Sequence, residues 1–392
     1  MPGKSIAVWE GKMQLFGSVR WLVGLVLILI LWMPTMPGYA AGGLLVARNP
    51  VTDPKAILRH ALPVDEPHIR QIESRLEDIR DQLKAKRWRA IANDVKTAQQ
   101  ILAEHRQDIL TQVAPENQAP AQALLDHIAA DLDELNEAVR DRNRNVVLDT
   151  QADLLDHVGA VEALMVREFP FAIPEAYRHL PQLLGRATVR IRTNKGDLIA
   201  VLDGYNAPIT AGNFLDLVQQ HFYDHLPFTR AEESFVVQAG DPPGEADGYM
   251  DPRTGTVRRI PLEIRVEGDP APLYGTTLEA AGRYLEKPVL PFAAYGTLAM
   301  ARSESDPNSA SSQFFFLRFE NELTPPGINL LDGRYAVFGY LIDGEDVLEK
   351  IRPGDEIQTI EILDGAEHLV NATPLASPSA AALEPLIVTP PF

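Results

Sequence analysis

ATVRIRTNKGDLIAVL (187–202) alternates apolar and polar residues on either side of an Asn194-Lys195-Gly196 turn, the pattern of a β-hairpin. Downstream, Thr210 can cap a helix whose apolar face is Phe214, Leu215 and Val218, with Asn213 tucked beneath. Short apolar runs separated by Gly and Pro then continue to residue 363, among them SSQFFFL (311–317) and YAVFG (335–339). Strands this short and this often interrupted predict a closed antiparallel β-barrel with two capping helices over residues 186–365, rather than a layered α/β fold.

Upstream of the hairpin the period changes. Ile69, Ile72, Leu76, Ile79 and Leu83 recur at helical spacing, as do Ile91, Val95, Ala98 and Leu102, then Leu125, Ile128, Leu132, Leu135 and Val139, and last Leu154, Val158, Val161 and Met165. These four stripes predict an all-α four-helix bundle over 63–168, opened by Asp65-Glu66-Pro67 and broken once by Pro115 to Pro120. A shorter helix from Pro54 to Leu62, within the N-terminal segment 41–62, is expected to lie across it. The proline-bearing stretch 169–185 reads as a linker that leaves the bundle free to fold alone. Before all of this, Lys12 and Arg20 precede the apolar run Trp21 to Met33, with Gly38 and Ala40 beyond it, so residues 1–40 read as a Sec-type signal cut after Ala40. That run is shorter than the ~20 residues a bilayer span needs, so no stable span is expected in the mature chain. Residues 366–392, rich in Pro, Ala and Ser from 373 on, read as a disordered tail.

At 392 residues with a net charge of −18, the chain is long enough for two domains and repels a phosphate backbone, which argues against nucleic acid and, as a whole, against acidic membranes. The absence of cysteine excludes disulfides, thiol catalysis and zinc–thiolate sites. The helical histidines (His68, His105, His127, His157) form no Glu-x-x-His pair, and His221 and His225, although four apart like metal ligands on a helix, fall in a stretch that Tyr223-Asp224 and Pro227 mark as a loop, so no metal is expected. Lys84, Lys86, Arg87 and Arg89 form a basic patch around Trp88; it reads either as a solvated face or as a dock for the acidic second domain.

Five ordered motifs then stand out: NFLDLV (213–218), PFTR with FVVQAGD (227–241), GTLAMAR (296–302), NSASSQFFFL (308–317) and LLDGRYAVFGYLIDGEDVLEKI (330–351). Together they resemble the cyclophilin-type peptidyl-prolyl cis-trans isomerases, and the spacing of Arg230, Phe235 and Gln238 matches that family's catalytic arginine, pocket phenylalanine and glutamine. With a signal, a helical bundle and the segments IPLEI (260–264) and DEIQTIEILDGAEHLVNA (355–372), the chain is similar to the large thylakoid-lumen cyclophilins of plants and cyanobacteria. That resemblance implies action on X–Pro bonds of exported or lumenal proteins, with lumen and periplasm as the two compartments served by such a signal. It further implies a role in photosystem II assembly and maintenance, with photosystem II subunits as partners, and no cofactor.

The chemistry explains the residue types. Amide rotation faces a barrier of about 18–20 kcal/mol, and a catalyst must favour the twisted state in which the proline nitrogen becomes pyramidal and basic. By the resemblance, Arg230 donates to that nitrogen, Gln238 holds the peptide carbonyl, and Phe235, Val236, Phe315 and Leu331 clasp the pyrrolidine ring. Ala301 and Arg302 align the peptide by their backbone, and Gln313 and Tyr335 line the rim. Departures accompany these matches: Thr229 stands where the family has histidine, Val236 where methionine is common, Ala239 replaces glycine, and Leu330 occupies the place of a tryptophan. Residues 242–295 are longer than the family's usual connection and either fold over the groove or extend the surface. An isomerase and a proline-binding assembly scaffold with slight turnover both fit this pattern.

Overall fold

The computed structural model describes residues 51–319 and 329–370, so the predicted signal and most of the predicted tail lie outside the described residues. Asp53 accepts from the amides of Lys55 and Ala56 and opens α1 (Pro54–His60). Glu66 accepts from Ile69 in the same way and opens α2 (Pro67–Lys84). Then come α3 (Trp88–Gln112), a 3-10 turn at Pro115–Asn117, α4 (Gln118–Arg140) and α5 (Arg144–Met165). The predicted stripes of α2 to α5 are buried in one shared core. Each of these helices packs on its neighbour in sequence, and α2 packs on α5, making a helical N-terminal region.

Helix α1 makes polar contacts with this region and buries its apolar face in the next one. On one side Arg59 donates to Glu73 (3.2 Å) and Glu77 (2.8 Å), and Lys55 meets Asp156 at 2.7 Å. On the other, Ile57, Leu58 and Ala61 are buried in the core of the sheet domain, whose Arg186 and Asn206 donate to the carbonyls of Leu58 and Ala61. The expectation that it lies across the helices alone is therefore too narrow. Of the two readings of Lys84, Lys86, Arg87 and Arg89, docking on the second domain is not seen: among the described residues their one ion pair is Lys84 with Asp81.

Close to α1, Glu162 of α5 is fully buried, 3.2 Å from Arg70 but in no hydrogen bond. Burial first, and the nearby Glu73 second, push its carboxyl from 4.5 up to about 8. The folded chain thus holds this proton more tightly than the unfolded one, and the resulting stabilisation is complete below about 4.5 and lost as pH rises through about 8. The thermal midpoint should fall across that window less steeply in Glu162→Gln than in the natural chain. Equal slopes in the two would clear Glu162 of the effect.

In the second region, the segment predicted as a linker packs down: Ile173, Leu180 and Leu183 enter the sheet-domain core, with Phe169, Phe171 and Tyr177 against it. Its last residues form β1 (Gln182–Leu183). The predicted hairpin follows as β2 (Arg186–Thr193) and β3 (Gly196–Asp203), in register from Arg186 opposite Asp203 to Thr193 opposite Gly196. After α6 (Pro208–Gln219) come β4 (Arg230–Ala231) and β5 (Val236–Ala239). The long connection holds two small hairpins, β6 (Met250–Asp251) with β7 (Thr256–Val257), and β8 (Glu263–Ile264) with β9 (Leu273–Tyr274). The remaining elements are β10 (Thr297–Met300), β11 (Phe314–Leu317), β12 (Val337–Asp343), α7 (Glu345–Lys350), β13 (Ile357–Asp364) and β14 (Leu369–Val370). Since β14 pairs with β1, folded structure continues past 365, into residues expected to be disordered.

Eight strands form one curled antiparallel sheet in the order β13, β2, β3, β12, β10, β11, β5, β4. It is a half-barrel rather than the closed barrel expected. Strand β4 has only two residues and the chain before it carries Pro227, which has no amide to donate, so the seam with the β13 side is an isolated bridge at Pro227 and Glu356 with a few flanking hydrogen bonds.

Helix α6 also differs from expectation. It begins two residues before Thr210, and its first amides are capped not by a local side chain but by Glu263 of the long connection, which accepts from Ile209 (3.3 Å), Thr210 N (2.9 Å) and Thr210 Oγ1 (2.9 Å). Residues 242–295 therefore buttress the sheet domain. Leu262, Ile264, Val266 and Leu278 bury against Ala336, and the Leu278 amide donates to Gly333, behind the wall that carries Leu331 and Tyr335.

Candidate active site

The chain reverses between β4 and β5 over Glu232 to Phe235, with Ser234 at φ 58° and the Glu232 amide donating to the Val236 carbonyl at 2.9 Å. This hairpin sets Arg230 opposite Gln238, and on the far side of β5 the next strand sets Phe315 opposite Gln238. Arg230 and Phe315, far apart in sequence, thus flank Gln238 as its two cross-strand neighbours, each about 5 Å from it at the Cβ atoms. The period of two does the rest. Val237, Ala239, Phe314 and Phe316 are buried in the core against Phe214 and Tyr223, which turns Val236, Gln238 and Phe315 to the other face. At Gly240, φ is 91° and a Cβ would lie 2.4 Å from the Ser312 carbonyl oxygen, so only glycine fits the turn that delivers Asp241.

That face lines a cavity of about 260 Å³. Arg230, Phe235, Val236, Gln238, Ala301, Arg302, Phe315, Leu331 and Tyr335 all line it; Gln313 stands behind Gln238. Its floor is aromatic: Phe315 stacks on Phe292 at 6.1 Å and meets the edge of Tyr335 at 5.6 Å. No residue of 242–295 lines it, so the long connection does not fold over the groove.

The charged groups are held in place. Arg230, 45% exposed at its side chain, donates from Nε to Glu232 at 2.7 Å and lies over the Phe235 ring at 5.3 Å. Its terminal nitrogens have no protein partner among the described residues. In return, the arginine's hydrogen bond holds the Glu232 carboxyl below its ordinary range. Arg302 lies over Tyr335 at 5.0 Å and donates from Nε to the Arg334 carbonyl at 2.8 Å, so it forms a wall rather than a free charge. The Ala301 amide is taken by the Gln313 carbonyl at 2.8 Å, which leaves that stretch of backbone its Ala301 carbonyl and Arg302 amide to offer a peptide.

Gln238 Nε2 donates to Gln313 Oε1 at 2.8 Å, and Gln313 Nε2 donates to Asp241 (3.0 Å) and Asp247 (3.1 Å). Carboxylates only accept, so the two aspartates fix which end of the Gln313 amide faces them, and Gln313 in turn fixes Gln238. Sequence reading missed Asp241, Asp247, Phe292 and the cavity-lining Glu304. Asp241 sits inside the quoted FVVQAGD motif, whereas Asp247 and Phe292 lie in the long connection, where no periodicity marks them. Leu330 is 82% exposed and does not line the cavity, and Thr229 turns its amide to the Gln238 carbonyl at 3.0 Å. The helical histidines meet in two ring pairs, His68 with His105 at 3.7 Å and His127 with His157 at 5.4 Å.

Residues 188–365 match the model of the cyclophilin type peptidyl-prolyl cis-trans isomerase family, and residues 53–166 match that of the PsbQ-like domain of CYP38-like peptidyl-prolyl cis-trans isomerases. A Synechocystis protein named as a thylakoid lumen peptidyl-prolyl cis-trans isomerase is 50% identical over 89% of this chain and 94% of its own length. The chloroplastic peptidyl-prolyl cis-trans isomerase CYP38 of Arabidopsis thaliana is 44% identical over 83% of this chain and 77% of its own length. CYP37, also chloroplastic and from the same plant, is 29% identical over 80% of this chain. A groove that offers donors and aromatic walls agrees with these matches, and the chain belongs to the cyclophilin-type peptidyl-prolyl cis-trans isomerases.

Proposed function

We propose that the groove isomerises X–Pro bonds with Arg230 as the donor to the twisted nitrogen, Gln238 as the holder of the peptide carbonyl, and Phe235, Val236, Phe315 and Leu331 as the clasp of the proline ring. Ala301 and Arg302 align the peptide, and Gln313 and Tyr335 complete the rim. The observation that carries this reading is the single cross-strand row of Arg230, Gln238 and Phe315 beside one cavity. Catalysis here is selective binding of the twisted state: in the planar amide the nitrogen lone pair is delocalised and accepts nothing from Arg230. In a protease-coupled assay on a proline peptide, turnover well above the uncatalysed rate is the expected result.

The helical region is read further as a four-helix bundle, α2 to α5, ahead of the half-barrel. A lumenal location is supported by the name of the Synechocystis relative, and the proposal that photosystem II subunits are among the clients rests on the match of residues 53–166 to a PsbQ-like domain. A second reading, a scaffold that grips proline segments with slight turnover, is favoured by Glu232 occupying Nε of Arg230. Turnover no faster than the uncatalysed rate would decide for the scaffold.

The aspartate pair gives a finer test. Asp241→Ala with Asp247→Ala frees the Gln313 amide to flip, and losing one oriented hydrogen bond, worth about 1 kcal/mol, should lower kcat/KM about fivefold. The corresponding Asn pair should recover part of the loss. A change in thermal stability with kcat/KM untouched would reject the relay.

A further inference from the structure

Two helix reversals in the N-terminal region are built alike. At the end of α2 the Lys86 amide donates to the Leu83 carbonyl and the Arg87 amide to Gln82, with Lys86 at φ 55°. At the end of α4 the Arg142 amide donates to Val139 and the Asn143 amide to Ala138, with Arg142 at φ 54°. Both are Schellman turns, whose left-handed residue is ordinarily glycine. This chain puts a lysine and an arginine there instead, against the steric preference of L-residues.

The two turns lie at the same end of the region. Gln99 bonds Asp133 and Arg106 bonds Asp126, so each step along α3 is matched by an equal step back along α4, and Arg89 comes level with Asn143. Gln151 bonding the Leu76 carbonyl sets α5 against α2 in the same sense and brings Lys84 to that end too. Lys84, Lys86, Arg87 and Arg89 thus share one blunt end with Arg140, Arg142 and Arg144, all of them exposed. Lys84 pairs with Asp81; among the described residues the others have no ion pair. Of the nearby acids, Asp94 is taken by Arg75 and Gln82, leaving Asp78, Glu137, Asp141 and Asp149 as counter-charges.

We propose that this end is a docking face for a bilayer surface carrying anionic lipid headgroups. The net charge of −18 does not forbid it. Screening at physiological salt acts over about 8–10 Å, while α3, at 1.5 Å per residue, is several times longer, so the end faces a surface with its own local charge. A lipid surface suits it better than a protein partner does. A protein interface needs an aromatic or aliphatic anchor at its centre, and none of the exposed large hydrophobic residues lies here, Trp88 being packed on the helical core. Headgroups ask only for cations. The acidic remainder of the chain is repelled and points away.

The chain lacking residues 1–40, so that the apolar run cannot insert, should sediment with phosphatidylglycerol-containing vesicles but not with phosphatidylcholine alone, and high salt should release it. Lys86→Gly with Arg142→Gly removes two charges while relieving the left-handed strain, so it should bind several-fold more weakly with an unchanged or raised thermal midpoint. Adding R87Q, R89Q, R140Q and R144Q should abolish sedimentation. Failure of the natural chain to bind anionic vesicles, with or without binding to soluble polyglutamate, would overturn the proposal, as would undiminished binding by the variants.

Discussion

Arg230→Ala should lower kcat/KM by about a hundredfold or more while leaving the fold and the thermal midpoint essentially unchanged. The kinetic size follows from deleting a fixed donor aimed at charge that develops only in the transition state, which in comparable sites costs factors of ~10²–10³. The loss should fall on kcat as much as on kcat/KM, because the planar ground state does not use the donor. Stability is spared because the side chain is 45% exposed and its ion pair with Glu232 lies at the surface, where solvent screens it. The cation contact with Phe235 goes as well, and it lies at the rim rather than in the core. A folded Arg230→Ala variant with undiminished turnover would contradict the mechanism even with the family membership intact.

Starting the chain at residue 63 should destabilise both regions at once. Burying an aliphatic side chain is worth about 1.5–3 kcal/mol, so the loss of Ile57 and Leu58 alone removes roughly 3–6 kcal/mol from the sheet domain. Arg186 and Asn206 then lose their acceptors on α1, and Glu73 and Glu77 lose Arg59. At about 2–4 °C per kcal/mol for a domain the size of the sheet domain, a thermal midpoint lower by roughly 10 °C is expected. Leu58→Ala should reproduce part of it without any truncation. The same contacts revise the expected domain boundary, and residues 53–168 should be a more stable helical fragment than 63–168. A truncated chain melting with the natural one would show that α1 is an ornament.

Much of this was legible because it is local. The stripes of α2 to α5 and the alternation of β2 and β3 repeat within a few residues, and burial of one face follows directly from the period. The site was legible for a related reason: Arg230, Phe235 and Gln238 sit within one hairpin, so their spacing in sequence is nearly their spacing in space. What escaped was set by partners far along the chain. Glu263 caps a helix that begins at Pro208, Asp247 orients Gln313, Phe292 stacks beneath Phe315, and the supposed linker becomes core because β1 finds β14. No period announces such contacts, since each forms only when the rest of the fold brings two distant segments together. Whether the sheet closed was decided in the same way, at a seam where Pro227 has no amide for the ladder. The sequence by itself determined which faces are buried and which side chains are proposed to do the chemistry; tertiary structure alone decided how α1 joins the two regions and what holds Arg230, Gln238 and Gln313 in place, because those depend on long-range geometry rather than on local pattern.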